Sequence, residues 1–582
     1  MQILKKLLFL LGPNERQQAG LLLIMIIFMA LLDMIGVASI LPFVAVLTNP
    51  NLIETNNTLN YMFQISRTLG VENDQQFLFS LGVLVFLLLI ISLSFKALTN
   101  YAQVKFVKMN EFNIGKRLVE TYLHQPYSWF LNRHSADLGK TILSETQQII
   151  SGGMTPLMEL IAKGMVVITL ITLLVIADPK LALIIFLLLA GTYAIIFYFV
   201  RNYLNRAGKK SLASNQSRFT AVSEAFGAIK EVKAGGFEKN FIKLFSNSAK
   251  IFAQTQASAQ IIAQLPRFIL EIIAFGGILL IILYIMSQTG GLDTALPFIS
   301  LYVFAGYRLL PALQQCYISF TQLTFVSPSL DKLTDDIKNI KTLDKNLNQK
   351  SLSFNENITL NNINYSYPNS TRTALKDINL TIPIKSKIGL IGVTGSGKTT
   401  IVDLILGLLE PQKGTLEVDG KIISKHNVRS WQSLIGYVPQ QIYLSDETIS
   451  ANIAFCVEPK EIDHAAVQKS AKIANIHNFI IDELPKQYQT TIGDRGIRLS
   501  GGQRQRIGLA RALYHNPSVI ILDEATSALD NQTEKTVMEA MNNLSKNITI
   551  IQISHRLNTL KNCDVIFKLE KGQLVKDENL IK

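Results

Sequence analysis

Residues 392–400 combine glycines, a lysine and hydroxyl side chains in the order that binds a phosphate chain. An apolar run precedes this segment and a helical pattern follows it, so we expect it to connect a strand to a helix. Gly395 and Gly397 let the backbone curl around phosphates, Lys398 reaches the β and γ phosphates, and the Thr399 hydroxyl is placed to bind Mg²⁺. The predicted nucleotide-binding residues here are Gly392, Val393, Thr394, Gly395, Ser396, Gly397, Lys398, Thr399 and Thr400.

Two carboxylates follow a second apolar run, residues 519–522, which has three β-branched side chains and is typical of a strand buried on both faces. Asp523 is expected to hold the same magnesium as Thr399, directly or through water. Glu524, one residue further on, is the candidate general base that polarises the attacking water.

The sequence LSGGQ, residues 499–503, stands where a helix is predicted to begin. Backbone N–H groups at a helix start have no partner within the helix, and the helix dipole adds partial positive charge there. The segment is therefore suited to contact a phosphate. The predicted contacts come from Ser500, Gly501, Gly502 and Gln503.

The remaining sequence must position these residues, and much of it is strongly apolar. The chain has 582 residues, of which 48% are hydrophobic, and its mean hydropathy of +0.26 is too high for an ordinary pair of soluble domains. Six stretches are long enough to cross a bilayer, at residues 19–46, 77–95, 156–177, 181–200, 268–287 and 295–313. The sequence therefore predicts six transmembrane helices ahead of the phosphate-binding segment.

Basic residues follow the second and fourth predicted spans, whereas the opposite loops carry little beyond Arg67 and Lys180. By the positive-inside rule, the long loops, the phosphate-binding part and both termini are expected in the cytoplasm. The net charge of +13 fits this bias and contact with anionic lipid. It gives no reason to expect a nucleic-acid partner.

The set of motifs and their order resemble the nucleotide-binding cassette of ATP-binding-cassette (ABC) transporters over residues 358–571, and nearly the whole chain resembles an exporter half-transporter. The resemblance implies an all-α six-helix transmembrane domain with cytoplasmic stalks and coupling segments at residues 1–330, and a linker at 331–353. It implies an α/β P-loop NTPase domain at 354–582. Such a protein is an ATP hydrolase that uses ATP and Mg²⁺ to drive transport, here across a bacterial inner membrane.

The family motifs assign further residues. Tyr367 resembles the aromatic residue that stacks on adenine, and Tyr365 is the alternative. Gln440 resembles the glutamine that senses magnesium, and His555 resembles the switch histidine that contacts the γ-phosphate. The implied catalytic residues are Glu524 and His555, and the implied magnesium residues are Thr399, Gln440 and Asp523.

The phosphate-binding segment and LSGGQ each occur once. In the family, ATP bound to one subunit's phosphate loop meets the other subunit's LSGGQ, which closes the dimer and turns the membrane half outward. Two complete sites therefore require a second chain, and a two-fold homodimer is the simplest arrangement.

Three basic residues are candidates for substrate binding, because ionisable residues within a bilayer are costly and mark functional sites. Lys96 ends the second predicted span, Arg267 opens the fifth, and Arg308 lies within the sixth. At 1.5 Å per residue, all three fall in the cytoplasmic half of the bilayer, where arginine could grip an anionic phosphate headgroup. The alternatives are that helix-end cations reach toward water, or that Glu271 neutralises Arg267 and Asp33 neutralises Arg308.

The membrane half resembles bacterial flippases of lipid-linked oligosaccharides, through LPFVAVL, LPRFILE and GYRLLP in the first, fifth and sixth spans and a helical pattern at residues 60–70. The implied substrate is a polyprenyl-pyrophosphate-linked oligosaccharide that moves from the cytoplasmic to the outer leaflet. Exporters of lipid A-type lipids, drugs or peptides share the architecture and remain alternatives. An ATP-gated channel or a regulatory subunit is a further alternative.

Overall fold

The computed structural model describes the chain with the exception of residues 1, 69, 134, 178, 270, 273–275, 277–278, 280–282, 284–291, 341–351, 369, 371, 494–495, 526–533, 538, 540–546, 556–559 and 576–582. The chain forms two compact units. The first contains Met1–Gln125 and Arg133–Thr342, and the second contains Pro126–Asn132 and Leu343–Lys582.

The first unit is helical over its described residues. Two π-helical turns, Thr141–Glu145 and Ile150–Met154, interrupt the segment that leads into the third predicted span. The α-helices are Gln2–Leu10, Pro13–Ala38, Ile40–Thr48, Leu52–Thr55, Asn57–Arg67, Asp74–Leu123, Ser135–Lys140, Thr146–Ile149, Thr155–Ala177, Pro179–Gly227, Ile229–Gly235, Glu238–Gln264 and Leu292–Asn339.

Among the described residues, three helical segments are long and apolar enough to cross a membrane: Pro13–Thr48, Asp74–Leu123 and Asp137–Ile176. They contain the first two predicted spans and all but the last residue of the third. The fourth and sixth predicted spans fall within the helices Pro179–Gly227 and Leu292–Asn339. Most of the fifth, at 268–287, lies outside the described residues.

The helix Leu292–Asn339 continues through the first part of the predicted linker, which begins at Asp331. Leu333 and Thr334 are fully buried there. Lys6 Nζ lies 2.7 Å from Asp331 Oδ1 and ties this part of the helix to the N-terminal helix. The lysines and aspartates that suggested a linker therefore form the polar side of a packed helix.

The second unit contains two sheets. The four-stranded antiparallel sheet has the order β2-β1-β4-β5, and the six-stranded sheet has the order β10-β9-β3-β8-β7-β6, parallel except for β10. The strands are β1 (Asn357–Ser366), β2 (Thr373–Pro383), β3 (Lys387–Gly392), β4 (Lys413–Val418), β5 (Lys421–Ile422), β6 (Ile435–Val438), β7 (Val519–Asp523), β8 (Thr549–Ile553), β9 (Val565–Glu570) and β10 (Gln573–Val575).

The helices of the second unit are Tyr127–Phe130, Lys398–Ile405, Val428–Gln432, Ile449–Ile453, His464–Ile473, His477–Asp482 and Gly501–Tyr514, with a 3₁₀ turn at Gln487–Gln489. Alternate residues of β7 enter different cores: Val519 and Ile521 pack with the core that includes Ile401, whereas Ile520 and Leu522 pack with the core that includes Ile507. This two-sided burial explains why the strand is a continuous apolar run. The predicted fold class is confirmed.

Candidate functional site

Four neighbouring parallel strands, in the order β3-β8-β7-β6, bring the predicted chemistry to one edge of the sheet. The carboxyl ends of adjacent parallel strands meet at the same edge, which is where ligands bind in such sheets. Lys398 follows β3, His555 follows β8, Asp523 ends β7 and Gln440 follows β6. A cavity of about 570 Å³ opens there, and its lining includes Tyr367, Thr394, Gly395, Gly397, Lys398, Thr399, Thr400, Gln440, Asp523, Glu524 and His555.

The loop between β3 and the helix Lys398–Ile405 depends on its glycines. Gly395 and Gly397 have φ angles of +78° and +108°, a region that other residues adopt only with strain. A Cβ on Gly397 would also lie 2.7 Å from Leu375 Cδ2. The loop curls around Lys398, whose Nζ donates to the backbone oxygens of Gly392 and Val393 at 2.7 and 3.1 Å.

Glu524 is held on both of its carboxylate oxygens. Gln440 Nε2 donates to Oε2 at 2.8 Å, and His555 Nε2 lies 2.8 Å from Oε1. The Glu524 backbone is left-handed, with φ of +49°, and such outliers cluster at functional sites. The residue therefore turns out of the buried strand and presents its carboxylate to the cavity.

Burial shifts the pKa values of the ionisable groups near Glu524. Desolvation raises the pKa of Asp523, and the neighbouring Glu524 carboxylate raises it further, while Lys398 and His555 oppose the shift. Burial also lowers the pKa of Lys398. Asp403, in the helix that follows the loop, has its pKa raised to about 6 by burial and by the nearby Asp523. Negative charge thus accumulates at this edge, as a cation site requires.

The two candidate tyrosines differ in environment. Tyr365 is only 4% exposed and belongs to the hydrophobic core, whereas Tyr367 lines the cavity. Tyr367 Oη lies 3.0 Å from the Thr400 hydroxyl, and the two tyrosine rings pack edge to face. Of the two, Tyr367 has the ring that a ligand in the cavity can reach.

The remaining predicted residues of the site lie in two places. Gly392, Val393 and Ser396 belong to the same loop but do not line the cavity. Ser500, Gly501, Gly502 and Gln503 begin the helix Gly501–Tyr514 and lie away from it. Ser500 Oγ accepts from Gln503 N at 3.2 Å, and Gln503 Oε1 accepts from Ser500 N at 2.8 Å. This reciprocal cap fixes the helix start.

The cavity residues fit a nucleotide with a divalent cation. A curled glycine loop with a lysine supplies donors and positive charge for phosphates, and an adjacent hydroxyl and carboxylate supply the oxygen ligands that Mg²⁺ prefers. Carboxylate, glutamine and histidine side chains stand beside that position and are able to orient a water.

In the membrane-spanning unit, Lys96 and Arg308 converge on Asp33. Arg308 forms an ion pair with Asp33, and Lys96 Nζ lies 4.0 Å from Asp33 Oδ2. Arg267 Nε instead donates to Glu271 Oε1 at 2.7 Å. Arg308 and Arg267 are therefore each paired with the carboxylate that the sequence suggested as its neutralising partner.

Two further ionisable residues of the membrane-spanning unit, Lys163 and Glu159, were not predicted from the sequence. Glu159 is hydrogen-bonded to Gln315, and Lys163 lies within electrostatic range of both Lys96 and Glu159. Both residues stand inside the predicted span at 156–177. The rule that singled out Arg308 would have identified them, because they are ionisable residues within an apolar segment. Asp403 was also missed, and its position among the apolar residues Ile401, Val402, Leu404 and Ile405 was the available signal.

Comparisons with known proteins agree with this architecture. The model of the ABC transporter transmembrane region matches residues 19–306, and the ABC transporter model matches residues 375–527. The ATP-dependent lipid A-core flippase of Saccharophagus degradans is 30% identical over 473 residues, which cover 80% of this chain and 78% of the flippase. The protein of the same name from Wigglesworthia glossinidia brevipalpis is 30% identical over 80% of each chain.

A solved structure of a bacterial Atm1-family ABC exporter with ATP bound has the same fold, with a TM-score of 0.76 at 22% identity, over 96% of this chain and 94% of that one. Its likeness and the sequence matches extend over both the membrane-spanning and the nucleotide-binding parts. The chain therefore belongs to the ABC transporter family and is an exporter half-transporter, a membrane-embedded ATP hydrolase that uses ATP and Mg²⁺ to drive transport.

Proposed function

We propose that this exporter moves a phosphorylated, sugar-bearing lipid from the cytoplasmic to the outer leaflet of the bacterial inner membrane. The observation that carries the proposal is the convergence of two cations, Lys96 and Arg308, inside the membrane-spanning unit. Cations are expensive in a bilayer, and those inside a helix bundle commonly mark a substrate or ion pathway. A phosphate headgroup is the anionic part of a lipid that they would recognise.

Two phosphorylated glycolipids fit this chemistry. The membrane motifs favour a polyprenyl-pyrophosphate-linked oligosaccharide, whose pyrophosphate suits a cluster of basic residues. The names of the relatives from S. degradans and W. glossinidia favour a lipid A-core molecule, which also carries sugar and phosphate. Arg267 is a third candidate cation, although it forms an ion pair with Glu271 and the pair has no net charge.

The helix Asn57–Arg67 supports a lipid substrate. It lies between the first two spans, and its Leu59 packs in a cluster with Val46 and Phe77. Its other face carries Tyr61 and Ile65, which are 69% and 49% exposed. An amphipathic helix with exposed apolar side chains beside a span is suited to lie in the membrane interface.

At the cassette, we propose that Lys398 and the glycine loop bind the phosphates and that Tyr367 stacks on the base. Thr399, Gln440 and Asp523 would hold Mg²⁺, which neutralises phosphate charge when it is bound. Glu524 would orient the attacking water and accept its proton at a carboxylate oxygen, and His555 would fix that carboxylate and contact the γ-phosphate.

Ser500, Gly501, Gly502 and Gln503 would serve the nucleotide of a second chain, because they lie away from the cavity of their own chain. A homodimer then provides two equivalent sites, each with a phosphate loop from one subunit and a helix start from the other. The basic loops support a cytoplasmic location for the cassette and both termini.

The test is reconstitution in liposomes with fluorescent lipids in the leaflet that faces the cassette. We expect ATP-dependent movement of a polyprenyl-pyrophosphate oligosaccharide or of a lipid A-core molecule, and the faster of the two identifies the substrate class. A peptide and a neutral dye serve as competitors, and Glu524→Gln is the matched inactive protein. Movement of only the peptide or the dye would refute a phosphorylated lipid substrate.

A further inference from the structure

Asp33 is a buried carboxylate in the middle of an apolar helix. It is 2% exposed and lies in the segment Pro13–Thr48, which is long and apolar enough to cross a membrane. A charge in such a place costs several kcal/mol unless partners compensate it. An ionisable residue within such a segment is therefore a candidate functional residue.

The partners of Asp33 carry more positive charge than it can neutralise. Arg308 forms an ion pair with its carboxylate, Lys96 Nζ lies 4.0 Å from Oδ2, and Ser92 Oγ donates to Oδ1 at 3.4 Å. Two cations thus share one anion. Asp33 Oδ2 has no hydrogen-bond partner among the described residues, since 4.0 Å is too long for a hydrogen bond. The cluster has an excess of one positive charge and attracts a further anion.

Exposure differs among the three side chains of the cluster. The side chains of Asp33, Arg308 and Lys96 are 2%, 16% and 35% exposed, respectively. The two cations are therefore more accessible than the carboxylate, and an incoming group reaches them more readily than Asp33. The ion pair between Arg267 and Glu271 differs in two ways. It has one cation and one anion, and its side chains are 57% and 44% exposed.

We propose that Asp33 is an internal counter-ion that sets substrate specificity: it occupies the cationic site of Lys96 and Arg308 until a phosphate headgroup replaces it. This inference rests on the proposed function and names the residue that selects the headgroup. A phosphate monoester carries more than one negative charge near neutral pH and has three terminal oxygens, whereas the carboxylate has one charge and two oxygens. A phosphate therefore offers the two cations more negative charge and more acceptor oxygens than Asp33 does.

A singly charged or neutral lipid lacks this advantage and leaves Asp33 in place. Specificity is a difference between affinities, and a built-in competitor lowers the affinity for every weak anion. With the Asp33 carboxylate in place, a headgroup must therefore carry more negative charge in order to bind. Because Asp33 is not expected to touch the bound phosphate, its role is to position and occupy the cations.

The experiment measures binding without nucleotide to the full-length protein in nanodiscs. The probes are farnesyl diphosphate, farnesyl monophosphate and farnesol, which share one apolar chain and differ in charge. The variants are Asp33→Asn, Arg308→Gln and the double variant. Asp74→Asn is the matched control, because this exposed residue begins the helix that carries Lys96 and undergoes the same loss of one charge.

We expect Asp33→Asn to bind farnesyl diphosphate about tenfold more tightly than the unaltered protein, a change of about 1.4 kcal/mol. The ratio of its affinities for the diphosphate and the monophosphate should decrease, and its affinity for farnesol should not change. Arg308→Gln and the double variant should both bind the diphosphate more weakly. Binding by Asp33→Asn alone, with none detected for the unaltered protein, also supports the proposal.

Equal or weaker diphosphate binding by Asp33→Asn overturns the proposal, as does an equal gain for farnesol or an absence of binding in both proteins. Asp33→Ser, with a smaller neutral side chain, is used if the asparagine variant does not assemble. If neither variant assembles, Asp33 is a structural ion-pair partner and the proposal is wrong. If the unaltered protein transports a phosphorylated lipid but Asp33→Asn binds the diphosphate no more tightly, the proposed function stands and the counter-ion role is wrong. If Asp33→Asn binds the diphosphate more tightly but no phosphorylated lipid is transported, the counter-ion role stands and the proposed function is wrong.

Discussion

Glu524 Oε1 lies 2.8 Å from His555 Nε2, so the predicted base and the predicted switch histidine are in hydrogen-bond contact. Gln440 Nε2 holds the other carboxylate oxygen at 2.8 Å. A carboxylate fixed on both oxygens has a defined direction, and a general base needs such positioning. The contact also joins the ends of the adjacent strands β7 and β8, so a movement of either strand end changes the orientation of the base.

Replacement of Glu524 by Gln should preserve ATP binding and reduce ATP hydrolysis by about 10² to 10⁴-fold, because the amide keeps the shape but cannot accept the proton. Phosphate release and nucleotide binding, measured on the same preparation, check this expectation. Glu410→Gln is the control, since that glutamate is 67% exposed and pairs only with Lys425 in the described structure. Undiminished hydrolysis by the Glu524 variant would exclude the residue as the base.

Asp403→Asn should stabilise the nucleotide-binding unit at neutral pH. The pKa of Asp403 in the folded protein is about 6, above its ordinary 3.8, so the folded state holds the proton more tightly than the unfolded chain. The stability associated with this proton is present below pH 4 and is lost as the pH rises through 6. The variant should therefore gain about 3 kcal/mol above pH 6 and about half of that at pH 5.

Thermal unfolding followed by tryptophan fluorescence measures this effect in the full chain. The sequence has two tryptophans, Trp129 and Trp431, and both lie in the second unit, so their signal reports on that unit. Asp446→Asn is the control, because Asp446 is exposed in the same unit. A gain that does not depend on pH would contradict burial of a titrating carboxyl.

Gly208→Ala should destabilise the membrane-spanning unit by about 1 to 3 kcal/mol. An added Cβ would overlap Phe325 O, where the helices Pro179–Gly227 and Leu292–Asn339 pack closely. Gly115→Ala is the matched control in a helix, since its Cβ would meet nothing within 4 Å and alanine favours a helix by up to about 1 kcal/mol. The fraction that stays monodisperse after heating in detergent ranks the two variants, and equal stability would refute the close approach.

Arg308→Gln and Arg267→Gln should impair lipid transport more than basal ATP hydrolysis, because they remove charge from the proposed headgroup site and leave the cassette intact. We expect the larger loss for Arg308, which is 16% exposed, than for Arg267, which is 57% exposed and paired with Glu271. Transport and ATPase activity are measured in the same liposomes, with Lys116→Gln as an exposed control. Equal loss of both activities would assign the arginines to folding or coupling.

The cassette could be predicted in detail because its parallel strands are buried on both faces. The apolar runs at 388–391 and 519–522 lie within β3 and β7, and each is followed directly by its functional residues. The glycines that follow the first of these runs then indicated a loop before Lys398. The choice between Tyr365 and Tyr367 needed the structure, because which ring enters the core depends on the packing of a neighbouring sheet.

The membrane half was less predictable. Spans that are apolar all round do not indicate which face packs, so the meeting of Lys96, Asp33 and Arg308 from three separate helices could be offered only as one pairing among several. The helix within the first part of the predicted linker was not foreseen for the opposite reason. Around Leu333, polar residues outnumber apolar ones, although Leu330 and Leu333 are fully buried.

The left-handed backbone of Glu524 sets stability against catalysis at this position. A glutamate with φ of +49° stores about 1 to 3 kcal/mol of strain, which glycine would release. Glycine would also remove the carboxylate that contacts Gln440 and His555 and that serves as the proposed base. A substitution that relaxes the backbone here therefore costs the enzyme its turnover.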